Sequence, residues 1–372
     1  MAWALEKLVQ EYEAMLSSQQ SIEETLKEIA GNIEAVNTAL QVAPESLRQE
    51  VAHLLRSVKD YTAASNYDKA REASLTACQR VLRVLAHSIT GSTLDVEECP
   101  SPQSMGLLVA VVRAGGPLTP IVYSLLSAGA ERAGDLINNA ERIATRWESI
   151  SKQLVQVYEA ARRLESKEIA KVHDIVMLVA RLVGSDSLDT SLAHLETVTS
   201  RLTEIAQLLD TLTSSLADLS EALQMCRERM GPEAPYCRWL SQVLTSVISA
   251  YDAAETLREA NDLEELGLVA ANVRKAYEKL SNMQRLIEKL SSRIAAAAGI
   301  SQAPLSLAES IEVAAIGREQ LGLTRIEEEL LIDLVERDVI DLIEVYERGE
   351  QYLQAALRLC RRGIAQCSIR AY

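Results

Sequence analysis

Phenylalanine is absent from this chain, and aromatic residues of any kind make up only 4% of its 372 residues. Its apolar share is nevertheless 48%, carried mostly by Leu, Ala, Val and Ile, a set that suits the seams between helices better than a thick globular core. Catalytic signatures are missing as well. "RAGGP" at 113–117 lacks the Lys and Ser or Thr of a phosphate-binding loop. Nucleophile elbows are also missing, as are the close cysteine pairs that hold zinc. Glu50 and His53 have the Glu-x-x-His spacing of helical di-iron sites, but such sites need a second copy that this chain lacks. The remaining histidines, at 87, 173 and 194, are scattered. These gaps predict a protein that is not an enzyme and holds no cofactor or metal.

Positive charge is also scarce. A net charge of −15 and a pI near 4.9 exclude a general nucleic-acid binder, which must neutralise phosphates, and disfavour anionic lipid. Arg358, Arg361, Arg362 and Arg370 form the one basic cluster, near the end of the last helical pattern, where the helix dipole favours cations. The opening "MAWALEKLVQEYEAML" has early charges and no apolar run, unlike a secretory signal or anchor, so a cytoplasmic location is expected. Six cysteines are too few for a disulfide scaffold. Cys226 and Cys237, on either side of the turn "RERMGPEAPY", are a candidate disulfide pair, whereas Cys360 and Cys367, read on one helix, stand about 10.5 Å apart along its axis. Intracellular disulfides would point to a hyperthermophilic source.

What the chain does have is periodicity. From Leu5, the positions Leu8, Tyr12, Met15, Gln19, Ile22, Leu26, Ile29, Ile33, Val36 and Leu40 alternate steps of three and four, with Gln19 either setting register or tolerated. A stripe this narrow favours supercoiled packing against a partner helix, within the chain or in a second copy. Pro44 ends that helix, and the next seam runs from Leu47 to Ile89 with a break at "ASNYD". No proline occurs from Ile121 to Gly231, which permits a long helix from about Leu118 to Val183, with a turn at "GSDS". Val198 to Cys226 repeats the three-four steps, a helix follows to about Ala298, and a last seam reads Val335, Val339, Leu342, Tyr346, Gly349, Leu353, Ala356, Cys360, Gly363 and Cys367. The two glycines there suggest either close helix approach or fraying. Similar helical text recurs at irregular spacing, which leaves a helical-repeat adaptor as a minor reading.

One stretch breaks the pattern. Between Cys99 and Ala130 the only charge is Arg113, and Met105–Ala130 reads "MGLLVAVVRAGGPLTPIVYSLLSAGA". Neither half reaches the roughly 20 apolar residues of a spanning helix. It is either a buried helical hairpin, a contact with a partner or second copy, or an element that enters a membrane. Long helices interrupted by such a hairpin resemble the cytolysin A and haemolysin BL group of α-helical pore-forming toxins. That resemblance implies a tongue, hidden in the soluble form and inserted on assembly. Its arms would be Leu107, Leu108, Val109, Val111 and Val112, then Ile121, Val122, Tyr123, Leu125 and Leu126, with Gly115, Gly116 and Pro117 as the turn.

The expected fold is therefore all-α: a single elongated bundle of long antiparallel, coiled-coil-like helices. It comprises an N-terminal helical pair (1–90), the apolar hairpin (99–130), long helical hairpins (131–300) and C-terminal helices (301–372). The expected role is a scaffold or assembly protein acting through its seams and hairpin on a protein partner or a second copy, with a membrane-inserting protein as the alternative.

Overall fold

A run rich in Glu, Ala and Leu with no proline before Pro44 propagates one long helix, α1 (Ala2–Ala39). Pro44, at φ −64°, then leads directly into α2 (Glu45–Ala63). The computed structural model describes residues 2–300, 306–337 and 339–366, with the α1 side chains described at residue 10 and from residue 13 onward. Among the described residues there are fifteen α-helices and no β-strand, so the fold is all-α.

The chain divides into two compact units. The first holds α1, α2, α3 (Tyr67–Thr90), α4 (Pro102–Ala114), α5 (Thr119–Ser127), α6 (Ala133–Thr145), most of α7 (Trp147–Ser166), α8 (Val172–Val183) and the start of α9 (Leu188–Met230). The second holds the rest of α9, α10 (Pro235–Glu255), nearly all of α11 (Leu263–Ala298), α12 (Leu307–Leu321), α13 (Arg325–Arg337), α14 (Leu342–Glu347) and α15 (Glu350–Arg361).

In the first unit, α1 and α3 run in the same direction. Glu28 pairs with Arg71 at 2.8 Å, and four residues on, the Asn32 side-chain amide donates to Ser74 Oγ at 3.1 Å. Asn32 and Ser74 are both buried, and a satisfied polar pair in an apolar seam fixes register. Around it Ile29, Val58 of α2 and Ala70 form a core cluster, with Ile33 and Ala73 packed on it. In the second unit, the three-four positions Leu202 to Cys226 on α9 point inward almost without exception: Leu202, Ile205, Leu209 and Leu212 are fully buried.

Three expectations require correction. The helix expected from Leu118 to Val183 is four helices, and the one expected to run on to about Ala298 is two, α10 and α11, parted at 256–262. The chain turns after α5, where the buried Asn139 amide donates to the Leu126 and Ala128 carbonyls at 2.9 and 3.0 Å. It turns again after α7, where Ile169 N–H reaches back to Leu164 O at 3.1 Å and Glu168 takes φ +62°. That left-handed position usually carries Gly or Asn, so a glutamate there gives no sequence signal.

The last seam is also not one helix. Gly349 at φ +127° caps α15, and Gly363 at φ +71° follows its end, so both terminate helices instead of packing in a seam. Cys360 lies in the last turn of α15, which ends at Arg361. Cys360 is disulfide-bonded, while Cys367 and Arg370 lie outside the described residues.

The third correction is Cys78, read as one more seam position, and Cys99, for which no role was expected: they form a disulfide, with Cα atoms 5.8 Å apart. Cys226 and Cys237 are also joined, with Cα atoms 5.6 Å apart.

Candidate functional site

Three features could carry function. The uncharged stretch comes first. Ser101 caps α4 by accepting the Ser104 N–H at 3.1 Å, with Pro102 in the first turn, so the helix starts as its sequence dictates. The expected hairpin takes the form of α4 and α5 bent through 99° around Gly115, Gly116 and Pro117. A side chain at Gly115 would meet Val122 Cγ2 at 2.9 Å and the Thr119 backbone at 3.1 Å, so only glycine allows the corner to close.

Of the ten arm residues, Leu108, Val109, Val111, Val112, Ile121, Val122, Leu125 and Leu126 are buried, Tyr123 is half-buried, and Leu107 is exposed. They pack where α4 meets α1 and α6 and where α5 meets α3, α6 and α8. Arg113 turns outward and donates to Gln41 Oε1 at 2.9 Å. Among the described residues no single helix is long and apolar enough to cross a membrane, although the bent pair is so by length and composition.

The second feature is a buried polar nest in the second unit. Glu327 and Glu328 lie in the first turn of α13, where the macrodipole favours them, but both are also fully buried, which their charge would not suggest. The Thr324 N–H donates to Glu327 Oε2 at 2.7 Å and Arg358 to its Oε1 at 2.9 Å, with Arg362 at 3.9 Å. Arg318 faces Glu328 at 2.5 Å and also donates to Met230 O at 3.3 Å. Burial raises Glu328 to about 7 in spite of Arg318. Burial would raise Glu327 too, but the Thr324 N–H and Arg358 outweigh it and hold that carboxyl below its ordinary value. The fully buried Tyr236 hydroxyl is likewise pushed up by desolvation. Two of the four arginines singled out in the sequence, Arg358 and Arg362, are thus spent on an internal carboxylate. Arg361 is exposed.

The third feature is on α1. Ile29 and Val36 are buried, but Met15, Leu16, Ile22 and Leu26 on the preceding turns are exposed, Met15 at 64% and Ile22 at 38%. The register of Glu28 with Arg71 and Asn32 with Ser74 explains why. It sets Tyr67, the first residue of α3, level with about Glu24 of α1, so the earlier turns have no α3 beside them. A notch of about 530 Å³ lies there, between Ser18–Thr25 and the turn Ala64–Asp68.

No family model, curated protein or solved structure matches the chain. Its own geometry is therefore what bears on function. Glu50 of the Glu-x-x-His pair is tied to Arg80 at 2.9 Å while His53 is exposed, and among the described residues no three His, Cys, Asp or Glu side chains gather as metal ligands. A cavity of about 450 Å³ beside Cys99 is walled by carboxylates, of which Asp135 caps α6 through the Glu131 and Arg132 N–H groups and Glu141 accepts from Ser104. Sequence reasoning missed the α1 face as a site because the seam reads identically along its length. Only the length of α3 divides its covered part from its open part.

Proposed function

We propose that this protein is a non-enzymatic helical scaffold that binds a partner helix in coiled-coil fashion along the N-terminal part of the α1 seam. The observation that carries the reading is the exposure of Met15, Ile22 and Leu26 on the same three-four stripe that packs inside the first unit from Ile29 onward, with Leu16 exposed beside it. A stripe that already accepts α3 and α4 over its second half, with Val58 of α2 against Ile29, offers a second helix the same knobs over its first. Met15 to Leu26 spans about 16 Å at 1.5 Å per residue, three turns of contact. The apolar stretch 105–130 supports the fold in this reading and makes no partner contact in the folded state.

The test is a 21-residue designed peptide with Ile at a, Leu at d and Gln at the flanking e and g positions, labelled and titrated with the full chain. Binding is expected, and the exposed-site variant Met15→Glu/Ile22→Glu is expected to abolish it with circular dichroism unchanged. Equal binding to that variant would sink the reading.

A second reading is favoured by one observation. The bent pair 102–127 has the length and composition of a broken membrane span, so the chain could store an inserting element of the kind its sequence resembles. Dye release from liposomes separates the two readings, because a scaffold with this stretch in its core leaves vesicles intact.

A further inference from the structure

Resting on the scaffold reading, we infer that the partner is an amphipathic helix flanked by lysine or arginine, received by an acidic rim around the open α1 seam. From Gln10 to Leu26 the chain carries Glu11, Glu13, Glu23 and Glu24 and no Lys or Arg. The first cation after the open stretch, Lys27, is already paired with Glu23 at 3.0 Å. Glu13 and Glu24 are exposed and make no ion pair among the described residues. The floor of the notch repeats this chemistry. It presents the hydroxyl-bearing residues Ser18, Ser21, Thr25 and Ser65, and Asp68 in the first turn of α3. Nearby cations are engaged elsewhere: Arg71 on Glu28 at 2.8 Å, and Lys69 over the Tyr61 ring at 5.8 Å.

The charges at the e and g positions beside a seam choose its partner. With Leu5 as a, those positions from residue 13 to 26 are Leu16 and Glu23 at e and Ser18 and Thr25 at g, with Glu13 at b and Glu24 at f, so the seam's edges offer a carboxylate and hydroxyls and no base. A second copy would bring four more acids and nothing to neutralise them. A helix with basic flanks supplies a cation beside Glu23 at the seam's edge, and its terminal Lys or Arg fits the notch at Asp68. Gln19, at an a position in the middle of the open stretch, calls for a polar residue opposite it. Anionic lipid is repelled by the same acids.

The test compares two labelled 21-residue peptides identical at a and d, one with Lys and one with Glu at e and g, titrated with the full chain at low and high salt. The Lys peptide is expected to bind at least tenfold tighter at low salt, with the ratio shrinking as salt rises. The variant Glu23→Gln/Asp68→Asn, altered only at exposed positions beside the seam and at the notch, is expected to lose most of that ratio and keep its fold. Equal affinity for both peptides would overturn the charge inference and leave the seam reading intact. Binding of neither, with a dimer in sedimentation that Ile22→Glu dissolves, would give the face to a second copy. Binding of neither, with Ile22-dependent attachment to phosphatidylcholine vesicles, would give it to lipid. Binding of neither by a monomer that ignores vesicles would remove the seam reading as well.

Discussion

The Glu328 carboxylate stands 2.5 Å from the Arg318 guanidinium with none of its side chain exposed. Even so, burial lifts its pKa to about 7. An acid raised in the folded state costs nothing below its ordinary value near 4.5, and its full cost is present above about 7, so stability falls as pH rises through that window. The gap corresponds to roughly 3 kcal/mol. Melting temperature should therefore rise as pH is lowered from 8 to about 5. Glu328→Gln should flatten that rise and stabilise the protein at pH 8. Glu327 acts in the opposite sense: held below its ordinary value by Thr324 and Arg358 against the pull of burial, it contributes stability that is lost as pH falls through its folded pKa. A wild-type melting temperature that is flat from pH 8 to 5 would contradict this assignment.

Val111 is 4% exposed in the last turn of α4. An aspartate there buries a carboxylate without a partner and should cost on the order of 3–5 kcal/mol. Thermal denaturation of Val111→Asp checks this, and an unchanged transition would show the stretch to be exposed and idle.

Gly115→Ala tests the corner separately. Its added carbon would crowd Val122 and the Thr119 backbone, and overpacking of this kind costs about 1–3 kcal/mol. Denaturant titration should show a lowered midpoint at an unchanged slope, whereas Gly116→Ala adds a carbon into open space and perturbs only a left-handed backbone position.

The Cys78–Cys99 bridge closes 21 residues of sequence and the Cys226–Cys237 bridge 11. Chain-entropy arguments put each near 3 kcal/mol. Replacing either pair with alanine should lower the denaturant midpoint by a similar amount, and peptide mapping under non-reducing conditions should return both pairs. Free Cys226 and Cys237 thiols in that map would remove the bridge.

The sequence made the helical class legible because three-four spacing is a local signal, and the breaks at Pro44, "ASNYD" and "GSDS" carry local turn chemistry. Breaks made by tertiary contacts were not legible. The α5 end depends on Asn139 reaching back thirteen residues, and the α7 end on Glu168 in a conformation its type rarely adopts. The Cys78–Cys99 bridge was hidden for the same reason, since it depends on where the 91–101 strap lies against α3. Burial of Glu327 and Glu328 could not be read either, because their partners Arg318 and Arg358 come from other helices. The α1 face is the instructive case: Met15, Ile22 and Leu26 stand on the legible stripe and Leu16 does not, and which of them stay open depends on where α3 begins.

The central claim is that residues 13–26 of α1 form an open helix-binding face. Amide hydrogen exchange of the full chain, with and without the Lys-flanked peptide, tests it most directly. The account predicts fast exchange over this stretch in the free protein, against slow exchange over Ile29–Ala39, and strong protection of the stretch when the peptide is present. Slow exchange in the free protein, or no change on adding the peptide, would contradict it.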